Sequence, residues 1–102
     1  MFRRLFLRSR FLKKMNLLME AYAITQNSEK TYGELLKLEP LIKNEGERAM
    51  YNLNRACLMY DMKEFRKASD IVVEIHSLNP EFNAHCADLR TKIMIALNRG
   101  DN

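Results

Sequence analysis

Apolar and polar positions along the chain follow a helical period, and the same order of positions occurs twice. Leu18 and Leu53 are 35 positions apart, and a shift of that size brings like residues together over much of the chain. The other clear pairs are Ala21 with Ala56, Ile24 with Met59, Glu29 with Glu64, Gly33 with Ala68, Leu36 with Ile71 and Asn44 with Asn79. A fixed period of this length is typical of stacked helical repeats. Each copy is therefore predicted to form two short helices that bury their apolar faces against neighbouring helices.

Five helices are predicted from the apolar periodicity and the turn residues. The first covers residues 2 to 25. The second begins at Ser28, a residue type that caps helix N-termini. The remaining three cover about residues 47 to 61, 63 to 78 and 81 to 98. The fifth helix has no partner in the sequence, as is expected of a terminal capping helix.

Pro40 interrupts the second predicted helix. A proline inside a helix removes one backbone hydrogen bond and collides with the preceding turn, so the helix either ends near Leu38 or bends and continues. The 35-residue alignment favours a bent helix that continues through Leu41 and Ile42. Gly46 is then predicted to terminate that helix.

The predicted fold class is all-α, because Gly and Pro number only 3 and 2 and no alternating run of β-branched residues indicates a strand. The architecture expected is a short helical solenoid of about five antiparallel helices, made of two helix pairs and a capping helix. A length of 102 residues suits one domain. Its predicted parts are a basic amphipathic arm continuous with the first helix, two helix-pair units, and a capping helix with its tail, over residues 1–14, 15–46, 47–80 and 81–102.

The second copy resembles a tetratricopeptide repeat over residues 47 to 80. In that family a small residue of the first helix packs on the second helix, and an aromatic residue marks the turn. A second small residue lets the helices cross closely, and a proline closes the unit. Ala56, Phe65, Ala68 and Pro80 fill these roles at the family's spacing.

The first copy, over residues 12 to 45, matches the repeat less closely. Ala21 and Gly33 supply the small pair, but Lys30 occupies the position of the turn aromatic and no proline closes the unit. The two copies together cover about two thirds of the chain, and the repeat family is a scaffold that serves many partners.

The resemblance implies an adaptor or scaffold that binds a peptide or another protein on the concave surface formed by the first helix of each pair. Carried over by position, that surface comprises Leu18, Met19, Tyr22 and Thr25 of the first unit and Leu53, Asn54, Cys57 and Tyr60 of the second. One subfamily binds a peptide's terminal carboxylate with Lys, Arg and Asn side chains on these helices. Asn54 alone fits that pattern, so carboxylate capture is not expected.

The net charge of +4 is concentrated at the N-terminus. Residues 1 to 14 contain six basic and no acidic side chains, and the remainder contains eleven basic and thirteen acidic ones. The body is therefore an ordinary mixed-charge domain that carries one basic arm.

The arm has several interpretations. It could attach the protein to an anionic membrane surface as a peripheral protein, through Phe2, Arg3, Arg4, Phe6, Arg8, Arg10, Phe11, Lys13 and Lys14. Alternatively, Phe2, Leu5, Phe6 and Leu12 pack on the repeats or on a second copy of the chain, which would give a homodimer through the N-terminal helix. An Arg-rich, acid-free arm also fits a mitochondrial-type presequence, although no cleavage site is indicated. Nucleic acid would suit the same charges, but it is the least favoured partner.

No reactive constellation is evident. Cys57 and Cys86 lie in apolar helical stretches, which predicts reduced core residues in a cytoplasmic protein, with a single buried disulfide as the alternative. Neither cysteine pairs with His76 or His85 at the spacing that a helical metal site needs. The chain also lacks a Gly-rich phosphate loop and a nucleophile with a base in register, so catalytic activity, cofactors and metals are not expected.

Overall fold

The computed structural model describes residues 9–75 and 79–100. These residues form five α-helices and one short 3-10 helix, with no strand among them. The helices are α1 (Arg10–Thr25), α2 (Ser28–Leu36), α3 (Glu45–Asp61), α4 (Phe65–Val72) and α5 (Pro80–Asn98), and the 3-10 helix Glu39–Leu41 lies between α2 and α3. The all-α class expected from the apolar periodicity is confirmed.

Four of the five helices begin with a side-chain cap, and three of these caps are spaced by 35 residues. Ser9, Asn44 and Asn79 precede α1, α3 and α5, and the side-chain oxygen of each accepts a hydrogen bond from a backbone N–H three residues later. Such caps satisfy one of the free N–H groups of a helix's first turn. The donors are Leu12, Glu47 and Phe82, at 3.2, 2.8 and 3.0 Å. The starts of these helices therefore keep the 35-residue spacing of the sequence.

The segment around Pro40 differs from the prediction. Helix α2 ends at Leu36, and Pro40 lies in the first turn of the 3-10 helix. The ring of a proline clashes with the carbonyl four residues earlier, which here is the carbonyl of Leu36, and its fixed φ suits a first helical turn. A bent helix continuing through Leu41 was therefore the wrong expectation. Gly46 is not a terminator either, because it lies in the first turn of α3 behind the Asn44 cap.

Other helix bounds differ by smaller amounts. Asn27, and not Ser28, caps α2, and its side-chain oxygen accepts a hydrogen bond from the N–H of Lys30 at 3.1 Å. Helix α4 ends at Val72, well short of residue 78, and the turn after it is held by bonds to carbonyls three residues back. The first part of the predicted arm helix, residues 1–8, lies outside the described residues.

Two apolar clusters hold the helices together, and α3 contributes to both of them. The N-terminal core joins α1, α2 and α3 through Phe11, Met15, Leu35, Leu38, Tyr51 and Leu58. The C-terminal core joins α3, α4 and α5 through Ala56, Met59, Phe65, Ala68, Val72, Cys86, Leu89, Ile93 and Ala96. Because α3 lies between the two cores, most of its circumference is covered by other helices.

Small residues are buried in only one of the two helix pairs. Ala56 and Ala68 have no exposed surface and both belong to the C-terminal core. The aligned residues Ala21 and Gly33 are exposed, and a Cβ added at Gly33 would meet no atom within 4 Å. Helices α3 and α4 can therefore cross closely at Ala56 and Ala68. The small residues predicted for the first unit, Ala21 and Gly33, are not buried between α1 and α2.

Two side-chain hydrogen bonds join α1 to α3, one at each end of the helices. The Ser9 hydroxyl donates to the buried Glu47 carboxylate at 2.7 Å, and the Tyr22 hydroxyl donates to the carboxylate of Asp61. Ser9 and Glu47 lie at the starts of the two helices, whereas Tyr22 and Asp61 lie in their last turns. Helices α1 and α3 therefore run parallel and in register.

Candidate functional site

A stripe of accessible residues runs along α3 between the two cores. Met50, Asn54, Cys57 and Asp61 follow one another at spacings of four, three and four residues, which places them on one side of the helix. The first three are half-buried and Asp61 is exposed. This set, called the α3 stripe below, lies between the two cores, and Cys57 packs at its edge against the C-terminal core.

Clefts lie at both ends of the α3 stripe. The cleft at the start of α3 has a volume of about 290 Å³, and its lining includes Leu12 from α1, Met50 from α3 and Phe82 from α5. The cleft at the end of α3 has a volume of about 420 Å³ and is lined by Tyr22, Ala23, Gln26, Ser28 and Asp61. The two end residues of the α3 stripe, Met50 and Asp61, therefore each line a depression, α1 contributes to both depressions, and α5 contributes to the one at the start of α3.

The stripe is long enough for a short peptide. Met50 and Asp61 are eleven residues apart, which corresponds to about 17 Å along a helix. About five residues of an extended chain span that distance. The α3 stripe with its two end clefts is called the α3 groove below.

Half of the concave-surface residues expected from the sequence lie at the α3 groove. Asn54 and Cys57 belong to the α3 stripe, and Tyr22 lines the cleft at its end. Met19 is half-buried, and it lies on the side of α1 that carries Leu12 and Ala23, which line the two clefts. These residues bring α1 and α3 together along one surface.

The other four expected residues lie elsewhere. Leu18 lines a separate depression beside the 3-10 helix together with Leu38, Pro40 and Leu41. Leu53 and Tyr60 pack against the C-terminal core, and the Tyr60 ring meets the Phe65 ring edge-on with 5.2 Å between centroids. Thr25 is exposed at the end of α1, where its hydroxyl accepts a hydrogen bond from the Asn27 N–H at 3.3 Å.

The sequence interpretation missed most of the residues that line the clefts, among them Leu12, Met50, Asp61 and Phe82. A helical wheel of α3 would have identified two of them, because Met50 and Asp61 extend the line through Asn54 and Cys57 by one turn in each direction. Leu12 and Phe82 follow from the helix starts, since both are the third residue after a cap.

Tyr22 and Cys57 stay protonated at neutral pH. Burial, with added effects from the adjacent Asp61 carboxylate, raises the pKa of Tyr22 to about 12. Burial is also the main cause that raises the pKa of the Cys57 thiol to about 11, and the charge of Asp61 acts in the same direction. A thiol reacts as its thiolate, so Cys57 is a poor nucleophile in this position.

Alkylation of Cys57 should therefore be slow in the native protein. A pKa raised from 9.0 to about 11 lowers the thiolate fraction at pH 7 about a hundredfold. In the Cys86→Ser variant, iodoacetamide should modify Cys57 about a hundred times more slowly in the native state than in guanidinium. The native rate should rise about tenfold per pH unit up to about pH 10. Equal rates in both states at pH 7 would contradict the buried environment of Cys57.

The structure describes part of the basic arm. Arg10, Lys13 and Lys14 are exposed on α1. Phe11 was assigned to the membrane-surface set, but it is fully buried in the N-terminal core, where its ring lies 6.3 Å from that of Tyr51. Phe11 is therefore an anchor of α1 and cannot enter a bilayer from this fold. The remaining residues of that set, Phe2, Arg3, Arg4, Phe6 and Arg8, lie outside the described residues.

Within residues 9–75 and 79–100, no group of three or more His, Cys, Asp or Glu side chains is arranged to hold a metal ion. Cys57 and Cys86 are unpaired thiols, half-buried and buried respectively. None of the five described helices combines the length and the hydropathy that a bilayer-spanning segment needs.

Comparisons with known proteins find no match from which a function could be inferred. No protein-family model, no curated protein sequence and no solved structure gives a significant match to this chain. The resemblance of residues 47 to 80 to a tetratricopeptide repeat therefore stays a prediction. The accessible side of α3, with clefts at both of its ends, is the feature on which a function can be argued.

Proposed function

We propose that this protein is a non-catalytic adaptor that binds a short segment of another protein in the α3 groove. The observation that carries the proposal is the position of the groove, because the accessible stripe of α3 connects two clefts. Ligand sites in proteins are concave, mostly apolar and largely formed before the ligand binds. The 35-residue spacing of the helix caps supports the related proposal of tetratricopeptide-like stacking, in which α1, α3 and α5 would be the first helices of successive units.

The lining of the groove indicates the chemistry of the bound segment. Met19, Met50 and Phe82 provide apolar surface, and methionine side chains adapt to ligands of different shapes. Asn54 is an amide near the middle of the stripe, and Asp61 is a carboxylate at one end. We therefore expect an apolar segment with a neutral or basic residue at the Asp61 end, and not a segment held by its terminal carboxylate.

The free thiols favour a reducing compartment, so we propose the cytosol as the site of action. No catalytic role is included in the proposal, because the one thiol of the α3 stripe is held protonated by its surroundings.

Blocking the middle of the groove should abolish partner binding. Asn54→Arg introduces a long charged side chain into the α3 stripe, and loss of a central contact commonly costs about 2 kcal/mol or more, which is about a thirtyfold loss of affinity. Affinity capture with the wild-type chain, followed by mass spectrometry, would identify candidate partners. Titration calorimetry with each purified partner would then compare the variants.

The matched control is Asp70→Arg, which places the same side chain on the exposed surface of α4. Circular dichroism must show that both variants keep the helical content of the wild type. The control should bind each partner with unchanged affinity. A partner that binds Asn54→Arg as tightly as the wild type does not use the α3 groove, and the proposal fails if this holds for every partner captured.

A further inference from the structure

The outer side of α1 carries apolar residues that are mostly exposed, and one of them, Leu17, also lines the depression beside the 3-10 helix. Leu17 is 63% exposed and Ile24 is 85% exposed, which is the highest exposure of any large apolar residue described. Ala21 lies between them and is also exposed. The three residues are spaced by four and three positions, so they form one stripe along the helix. The aligned residues of α3 include the buried Ala56 and Met59, which shows that the same pattern is covered there and uncovered here.

The same side of α1 is cationic at its N-terminal end. Arg10 and Lys14 continue the line of Leu17 and Ile24, Lys13 lies beside them, and all three side chains are exposed. Glu20 is the single acidic residue of α1 and lies at the edge of this side. Glu34 of α2 lines the same depression as Lys14 and Leu17, and its charge is offset by an ion pair with Lys37. The sequence before α1 adds Arg3, Arg4 and Arg8 without an acid. The outer α1 face, defined as Arg10, Lys13, Lys14, Leu17, Ala21 and Ile24, therefore suits an anionic partner.

Charge and shape select the kind of partner. Two copies of the outer α1 face would each bring three cations and no central acid to the contact, so self-association is disfavoured electrostatically. A folded protein partner normally packs an exposed apolar side chain into a complementary pocket. An exposed fraction of 85% shows that Ile24 projects into solvent. Fluid acyl chains conform to a projecting side chain, and anionic headgroups offset the neighbouring cations.

We propose that the outer α1 face attaches the protein to an anionic membrane surface. In this arrangement α1 lies along the bilayer, Leu17 and Ile24 enter the boundary between headgroups and acyl chains, and Arg10, Lys13 and Lys14 contact the headgroups. Tyr22 and Ile24 are two residues apart, which is about 200° around the helix. The α3 groove therefore faces away from the membrane and stays open, so the attachment does not depend on the proposed adaptor function.

The test is flotation of the full chain with vesicles of phosphatidylcholine alone and of equal parts phosphatidylcholine and phosphatidylserine. The wild type should bind the anionic vesicles and not the neutral ones, and added salt should weaken the binding. The variant Leu17→Ser with Ile24→Ser should lower the partition coefficient at least about tenfold. The matched control is Met94→Ser with Ile95→Ser, which removes two apolar residues of α5 that are 58% and 47% exposed. This control should change binding less than about twofold.

Further variants separate the contributions that the lysines of α1, residues 1–8 and the α3 groove make to vesicle binding. Lys13→Gln with Lys14→Gln should weaken anionic binding about fivefold for each charge removed. Deletion of residues 1–8 should leave a binding that still depends on Leu17 and Ile24, and Asn54→Arg should bind vesicles like the wild type.

Several results would overturn the proposal. The first is that the wild type does not float with anionic vesicles. The second is that the α1 and α5 double variants lose vesicle binding to the same extent. The third is that deletion of residues 1–8 abolishes vesicle binding while Leu17→Ser with Ile24→Ser leaves it unchanged. Sedimentation of the wild type as a dimer that the Leu17→Ser, Ile24→Ser variant dissociates would also overturn it, because the face would then be a contact between two copies.

Discussion

Replacing Phe11 by Ala is expected to lower the free energy of unfolding by about 3 to 5 kcal/mol, the usual cost of truncating a buried aromatic residue. Phe11 has no exposed surface and packs beside Tyr51, which has only 1%. It is one of two α1 residues that are fully enclosed, the other being Met15. Domains of this size are stable by about 5 to 15 kcal/mol, so the loss would be a large share of the total.

Urea denaturation followed by circular dichroism measures this effect, and Leu17→Ala is the matched control on the same helix. Leu17 is 63% exposed, so its truncation should change the free energy of unfolding by no more than about 0.5 kcal/mol. Equal effects of the two substitutions would show that α1 does not pack through Phe11. Deletion of residues 1–14, which removes Phe11 and Ser9, should therefore destabilise the chain in a way that is independent of any membrane attachment.

Replacing Ala68 by Leu is expected to cost about 1 to 3 kcal/mol, because a larger side chain overpacks an enclosed site. Ala68 has no exposed surface and lies in the C-terminal core with Ala56. The aligned position in the first copy is Gly33, which is exposed and whose added Cβ would meet no atom within 4 Å. Gly33→Leu should therefore stabilise the protein by about 0.5 to 1 kcal/mol, since leucine is the better helix former.

The two substitutions introduce the same residue at positions related by the 35-residue period, and they should have opposite signs. Urea denaturation of both variants under the same conditions measures the two changes in the free energy of unfolding. If Ala68→Leu left the midpoint unchanged, α3 and α4 would not cross closely. If Gly33→Leu destabilised the chain as strongly as Ala68→Leu, the first pair would pack like the second, contrary to its exposure here.

The sequence by itself determined the local features of the fold. Apolar periodicity predicts the all-α class, and the cap residues Asn44 and Asn79 mark the starts of α3 and α5. These features depend on residues within one or two helical turns, so the nearby sequence is sufficient to predict them. The same kind of local rule could have corrected the prediction at Pro40, where the proline ends α2 at the residue whose carbonyl its ring would meet.

The tertiary structure decided which faces of these helices are covered. Ala21 and Ile24 in α1 match Ala56 and Met59 in α3, yet the first pair is exposed and the second is buried. Helix α3 lies between two cores, whereas α1 contributes to one. A stripe of apolar residues lowers the free energy only where another element removes it from water. Periodicity therefore predicts that a face is apolar, and only the arrangement of the helices determined that Phe11 is buried, that Met50 and Asp61 line clefts at the two ends of the α3 stripe and that Ile24 faces outward.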